Sequence, residues 1–300
     1  MSMSFLEYML QQTINALSIG SLYALMAIGL AMVFGILRLI NFAHGDMMMV
    51  ASYSALALLL AGLPYWVVVP IVVLITAFAG ILMERFAYRP IRGAPDVAML
   101  LTSFAVTIIL ENSVVMMIGA RSRPFPVPEF LRAVYHYGNV TVASVNVVAI
   151  IATAILLVLL TLFVTRTDIG ISMRAAADDM TAAQLMGIPI NRVIAAAFAI
   201  GSGLAAVAGL LWTAKVGKVD PYMGFFPVLK AFVAAVIGGF GTIPGAVLGG
   251  FVLGSLEISL QGLLPGQWSS YRDALVFGIL IVVLLVRPNG ILGARAREEI

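Results

Sequence analysis

Residues 174–192 read RAAADDMTAAQLMGIPINR, a polar interruption between two strongly apolar stretches. The wider segment 167–191 holds Asp168, Arg174, Asp178 and Asp179 and no long apolar run. A charge at the centre of a spanning helix costs about 2.5–3.5 kcal/mol, so this segment lies in water. Its interior is rich in Ala, a strong helix former. Ser172 is positioned to cap the helix, Gly187 with Pro189 to end it, and Asn191 to cap the next span. The spacing predicts one helix of about 15 residues, or about 22 Å. Met173, Ala176, Ala177, Met180, Ala183 and Gln184 share one face of it. Small residues and two flexible Met suit that face equally to packing under its own bundle and to docking a partner, and periodicity does not choose between them.

Everything around this segment is built for lipid. The chain has 300 residues, 62% of them hydrophobic and only 10% charged, with a mean hydropathy of +1.09. These values exclude a water-soluble globular domain. Apolar runs near 15–37, 46–62, 66–87, 98–119, 145–165, 192–214, 225–240, 244–262 and 271–287 predict an all-α, polytopic transmembrane bundle of eight or nine spans. It forms one transmembrane domain over 1–300. The stretch GGFGTIPGAVLGG (238–250) reads either as a tight turn between two spans or as part of a broken, re-entrant segment. The opening MSMSFLEYMLQQT has no Lys or Arg before its apolar part, so the first span is expected to be retained rather than cleaved.

Loop charges orient the bundle. Arg85, Arg89 and Arg92 crowd one loop, Arg166, Arg174 and Arg192 another, and Arg287, Arg295 and Arg297 the C-terminus; these are taken as cytoplasmic. Segment 167–191 then becomes a cytoplasmic loop and 120–145 an external one. The external loop carries Pro124, Pro126 and Pro128 and a short alternating stretch around Val140 and Val142. Small residues recur at four-residue spacing at Ala27, Ala31 and Gly35, at Gly245 and Gly249, and at Gly250 and Gly254, as in closely packed membrane helices.

Ionisable side chains inside apolar spans are functional candidates by default. Glu111, Glu257 and Lys230 qualify, and Asn15, Ser18, Ser21, Asn112 and Ser202 are candidates to line a polar path with them. Each alone also fits an interhelical hydrogen bond. In INFAHGD (40–46), Asn41, His44 and Gly45 form a distinctive loop, and Gly45 with Asp46 makes a natural helix start. With no Cys and two distant His, no metal site is expected. The patterns GxxxxGK[ST] and GxSxG do not occur, and no enzyme is indicated. The net charge of +3 reflects loop Lys and Arg and does not argue for nucleic acid.

Four stretches together carry a family resemblance: GSLYALMAIGLAMVFGILRLINFAHGD (20–46), DIGISMRAAADDMTAAQLMGIPINRV (168–193), KAFVAAVIGGFGTIPGAVLGG (230–250) and VRPNGILG (286–293). Along essentially its whole length the chain resembles the H-type permease subunits of branched-chain amino acid ABC importers. In ABC importers generally the loop contacting the ATPase follows the pattern EAA, three residues, Gly, and this permease family has a degenerate form of it. Here Thr181, Ala182, Ala183 and Gly187 match the spacing, with Thr181 in place of Glu, and Arg174, Asp178 and Asp179 lie beside them. The resemblance implies a bacterial inner-membrane permease that pairs with a second, related permease, two cytoplasmic ATPases and a periplasmic binding protein. ATP and Mg would be held on the ATPases, with no cofactor on this chain. The same machine carrying urea or short amides, a self-contained secondary transporter and a non-transporting membrane scaffold are the alternatives.

Overall fold

The computed structural model describes residues 4–287 and 290–292. Arg295 and Arg297, with Pro288, Asn289 and Gly293 of the closing motif, lie outside the described residues. Nine helices coincide with the nine apolar runs: α1 (Phe5–Leu37), α2 (His44–Leu60), α3 (Tyr65–Met83), α4 (Asp96–Ile118), α6 (Ser144–Arg166), α9 (Ile190–Val216), α10 (Phe225–Gly238), α11 (Ile243–Leu263) and α12 (Arg272–Val286). Three short ones, α5 (Glu129–Arg132), α7 (Asp168–Asp178) and α8 (Met180–Leu185), lie between them. Among the described residues six of the helices are long and apolar enough to cross a membrane, α3 among them, which continues through irregular turns to Ile91.

The all-α expectation needs one amendment, because the segment between α4 and α6 contains strand. β2 (Val134–Tyr137) and β3 (Val140–Ala143) form a hairpin closed at Gly138, and β1 (Arg123–Pro124) pairs with β4 (Lys218–Val219). The alternation around Val140 and Val142 is the hairpin's second strand. Asn139 donates to Glu7 at 3.0 Å and the Thr141 amide to Gln11 at 2.7 Å, so the hairpin and the start of α1 share one end of the bundle. At the other end Arg92 donates to Asn191 at 2.6 Å, joining the loop after α3 to the start of α9.

α1 and α9 form the centre. They run in opposite directions and cross where Gly29 faces Gly201, Gly201 lying on the Gly29 backbone and Gly29 lying against the Gly201 carbonyl and the His44 ring. Each central helix is followed by a short helix and then a long one, and both followers pack on the other central helix. α2 and α3 lie against α9, and α10 and α11 against α1. This is an inverted repeat, and its trace in sequence is GLAMVFGIL (29–37) recurring as GLAAVAGLL (203–211).

The small-residue spacings are the contact rows of this arrangement. Gly250 and Gly254 of α11 sit on the backbone of Ala24 and Gly20, Gly249 on that of Ala234, and Gly35 on that of Gly241. Without a hydrophobic driving force between helices in lipid, such close approach supplies the packing. The turn 239–242 between α10 and α11 is tight, with Gly239 and Gly241 both at positive φ, so the irregular backbone of GGFGTIPGAVLGG is confined to that turn.

The breaks lie elsewhere. α2 has 17 residues and α10 has 14, about 26 and 21 Å, short of a hydrocarbon core of about 30 Å. Leu39, Asn41 and Ala43 ahead of α2 are buried, and Gly45 meets Gly224, the residue before α10, backbone against backbone. The two short helices therefore begin inside the bundle, where protein shelters their irregular entry segments.

Candidate functional site

Two groups of side chains stand out, one in the interior and one at the end that carries residues 167–189. In the interior, Lys230 of α10 meets Glu257 of α11 at 2.8 Å and Asp273 of α12 at 3.2 Å. Arg272 reaches Glu257 at 3.2 Å, and the Tyr23 hydroxyl donates to the same carboxylate at 2.6 Å. Lys230 and Glu257 are both buried. Four helices are thus tied at one ionic knot, and the two sequence candidates are each other's partners.

The remaining path candidates do not join that knot. Ser18 donates to Asn146 of α6 at 2.9 Å and accepts from Lys215 at 3.2 Å. Ser21 bonds to its own helix at the Leu17 carbonyl. Asn15 accepts from Gln11 on the same helix, and the exposed Asn112 donates to the Ile108 carbonyl. Ser202 is buried against Gly80, and half-buried Glu111 lies on α4.

Around the start of α2, the Tyr88 hydroxyl donates to Asn41 at 2.7 Å, and the His44 ring fills the space that a side chain at Gly29 would need. Gly45 is required by its contact with Gly224. This loop is a packing joint between the two repeats. Sequence reading passed over Glu84, which is 0% exposed and bonded to Arg89 at 2.8 Å and Arg92 at 2.7 Å. A lone acid beside three Arg was the available signal.

The segment 167–189 departs from expectation in three respects. It forms two helices instead of one: α7 is capped by Thr167, whose hydroxyl accepts from the Gly170 amide, and α8 by Asp179, whose carboxylate accepts from Ala182. Asp179 itself is extended, which breaks the helix. Ser172 is not a cap, and its hydroxyl donates back to the Asp168 carbonyl inside α7. Asn191 lies in the first turn of α9, behind Pro189, and serves as the acceptor for Arg92. The stop at Gly187 holds, with φ +84° and the Ile188 amide bonded back to Ala183.

The face read from periodicity turns inward except at Gln184, which the break at Asp179 leaves exposed. Met173, Ala176 and Ala183 are buried in the main core, with Ala177 and Met180 partly buried against it. Arg174, Asp178, Asp179, Thr181, Ala182, Gln184 and Gly187 are exposed. Beside them stand Leu185 and Met186, 83% and 84% exposed. Two large apolar side chains thus stand bare on an otherwise polar segment. Sequence reading missed them because it scored the buried face of the helix.

Ionic side chains tied together within an apolar bundle, among helices that begin inside it in an inverted repeat, fit a membrane permease rather than an inert anchor. The chain matches the family model described as branched-chain amino acid transport system / permease component over residues 12–284, and it belongs to that family. It is 39% identical to the high-affinity branched-chain amino acid transport system permease protein BraD of Pseudomonas aeruginosa, over 97% of this chain and 98% of that protein. To LivH of Escherichia coli K12, a permease protein of the same description, it is 38% identical over the full length of both. The E. coli permease protein LivM is 28% identical over 93% of this chain and 70% of its own length. No solved structure matches the chain.

Proposed function

We propose that this chain is one permease subunit of an ATP-driven importer of branched-chain amino acids in a bacterial inner membrane. In this reading it is a single transmembrane domain of eight or nine spans over 1–300. Residues 167–191 face the cytoplasm and dock an ATPase, and residues 120–145 face the periplasmic binding protein. A second, related permease completes the path. The likeness to both LivH and LivM supports such a pairing, since one ancestral fold then supplies both halves. Two ATPases hold ATP and Mg, and this chain supplies path and lever.

The observation that carries the reading is the exposed pair Leu185–Met186 on a doubly capped, water-facing segment whose other face is anchored in the core. A segment fixed on one side and bare on the other transmits force between a partner and the bundle. Switching of access requires ATP and substrate to have different affinities for the two states of the machine.

Uptake of labelled leucine into membrane vesicles tests the reading. ATP-dependent, protonophore-resistant uptake that requires co-expressed ATPases is expected. Uptake by this chain alone, driven by a proton gradient, would overturn it.

A further inference from the structure

α3 packs on α9 and α6 packs more on α1, which leaves a furrow between α3 and α6 with α9 as its floor. One cavity of about 410 Å³ lies in it, against Val73, Ala77, Leu156, Phe163, Ala199 and Gly203. A second, of about 240 Å³, follows along the same three helices against Trp66, Val69, Phe130, Val148 and Ala152, and Val207 borders both. From Val148 to Phe163 the furrow runs about 22 Å along α6, most of a hydrocarbon core of about 30 Å. Its floor is kept low by a glycine that helix packing does not require. Gly201 and Gly209 of α9 touch the backbones of Gly29 and Met48, whereas a side chain at Gly203 would meet only the tip of Val73, at 3.6 Å. Gly weakens a helix interior, and at Gly203 no close contact offsets that.

The two ends of the furrow differ. At one, Trp66 stacks on Phe130 at 4.9 Å, an aromatic cluster of the kind that marks a membrane–water boundary. At the other, α6 ends at Arg166, one turn beyond Phe163, and α9 carries Arg192 two turns before Ala199 on the same face. Both Arg are exposed, and among the described residues neither is in an ion pair. No polar side chain lines the larger cavity, so a zwitterionic solute would lose its hydration there without replacement. A hydrocarbon chain carries no such cost. A lipid whose tail lies in the furrow and whose phosphate meets two unpaired guanidinium groups is complementary to both the wall and its charged end.

We propose that the furrow between α3 and α6 holds one anionic phospholipid from the leaflet bordering residues 167–189, with an acyl chain along α9 and the phosphate at Arg166 and Arg192. These two Arg stand at either end of the segment 167–189, so the lipid ties both of its roots to the bundle.

The test is native mass spectrometry of the permease complex, purified in detergent and stripped of lipid, then titrated with phosphatidylglycerol and with phosphatidylethanolamine of the same acyl chains. The wild type is expected to bind phosphatidylglycerol about tenfold more tightly. The double variant Arg166→Ala/Arg192→Ala binds the two lipids equally, and Gly203→Leu, which raises the floor of the furrow, weakens both about tenfold with an unchanged melting temperature. Equal binding of the two lipids by the wild type, or phosphatidylglycerol binding unchanged in the Arg double variant, would overturn the proposal. That double variant alters only exposed side chains and keeps the test decisive if Gly203→Leu fails to fold. A photo-crosslinking side chain in place of Leu159, which lines the larger cavity, is expected to label lipid in the intact complex. A crosslink to a second protein chain instead would make the furrow a subunit interface and overturn the proposal as well.

Discussion

The joint between α2 and α10 and the segment 167–189 are both interruptions in an apolar chain, and they solve opposite problems. At the joint, irregular backbone is sealed inside protein: Gly45 lies on Gly224, His44 on Gly29, and Lys230 and Glu257 neutralise each other. In the segment, irregular backbone is left in water, held by side-chain caps, and it presents bare apolar side chains. The comparison teaches that a polar break in a membrane protein is read from its partners. Where charges pair and glycines touch, the break is a joint; where caps hold the turns and apolar side chains stand out, it is a handle.

Breaking the joint has the largest effect. Glu257→Leu leaves Lys230 buried without its closest partner and removes the acceptor of Tyr23 and Arg272, a loss of about 3–5 kcal/mol. It is read as a lowered melting temperature in detergent. Combining it with Lys230→Met recovers much of that loss, since a buried pair replaced by apolar groups is often close to neutral. Next comes Gly45→Ala, whose new methyl group meets the Gly224 backbone and costs about 1–3 kcal/mol by overpacking. The same measurement detects it, and an unchanged melting temperature would mean that the two short helices do not meet as described.

In the water-facing segment the effects on stability shrink. Asp179→Ala removes the cap of α8, worth about 1 kcal/mol, and is expected to speed amide exchange over 180–186 while leaving α1 and α9 protected. Leu185→Arg and Met186→Arg change bundle stability by about 0.5 kcal/mol or less, as exposed substitutions do. Their effect is expected in transport instead.

Most of the helix map was legible because runs of about 20 apolar residues have one solution in lipid. The breaks were less so. Composition does not reveal that α2 and α10 begin inside the bundle, because an entry such as Leu39–Asn41–Ala43 is as apolar as a span. The signal was the repeat of GLAMVFGIL as GLAAVAGLL, each followed by a glycine-containing loop and a shorter apolar run. For 167–189, periodicity found the amphipathic face up to the break at Asp179, placed the exposed Gln184 on it, and could not tell what covers it. Met173 and Ala176 are covered by the chain itself, so the surface left for a partner is the one that falls outside the periodic pattern. Thr167 was overlooked as a cap because Ser172 offers the same chemistry five residues later, and Asp179 because one unbroken helix needs no cap in its interior.

In the proposed function this chain is driven from outside itself, through Leu185 and Met186. The most direct test is copurification of the co-expressed ATPases with a Leu185→Arg/Met186→Arg double variant. The account predicts a variant that inserts, melts like the wild type and retains its partner permease but no longer holds the ATPases. Undiminished ATPase retention would contradict it.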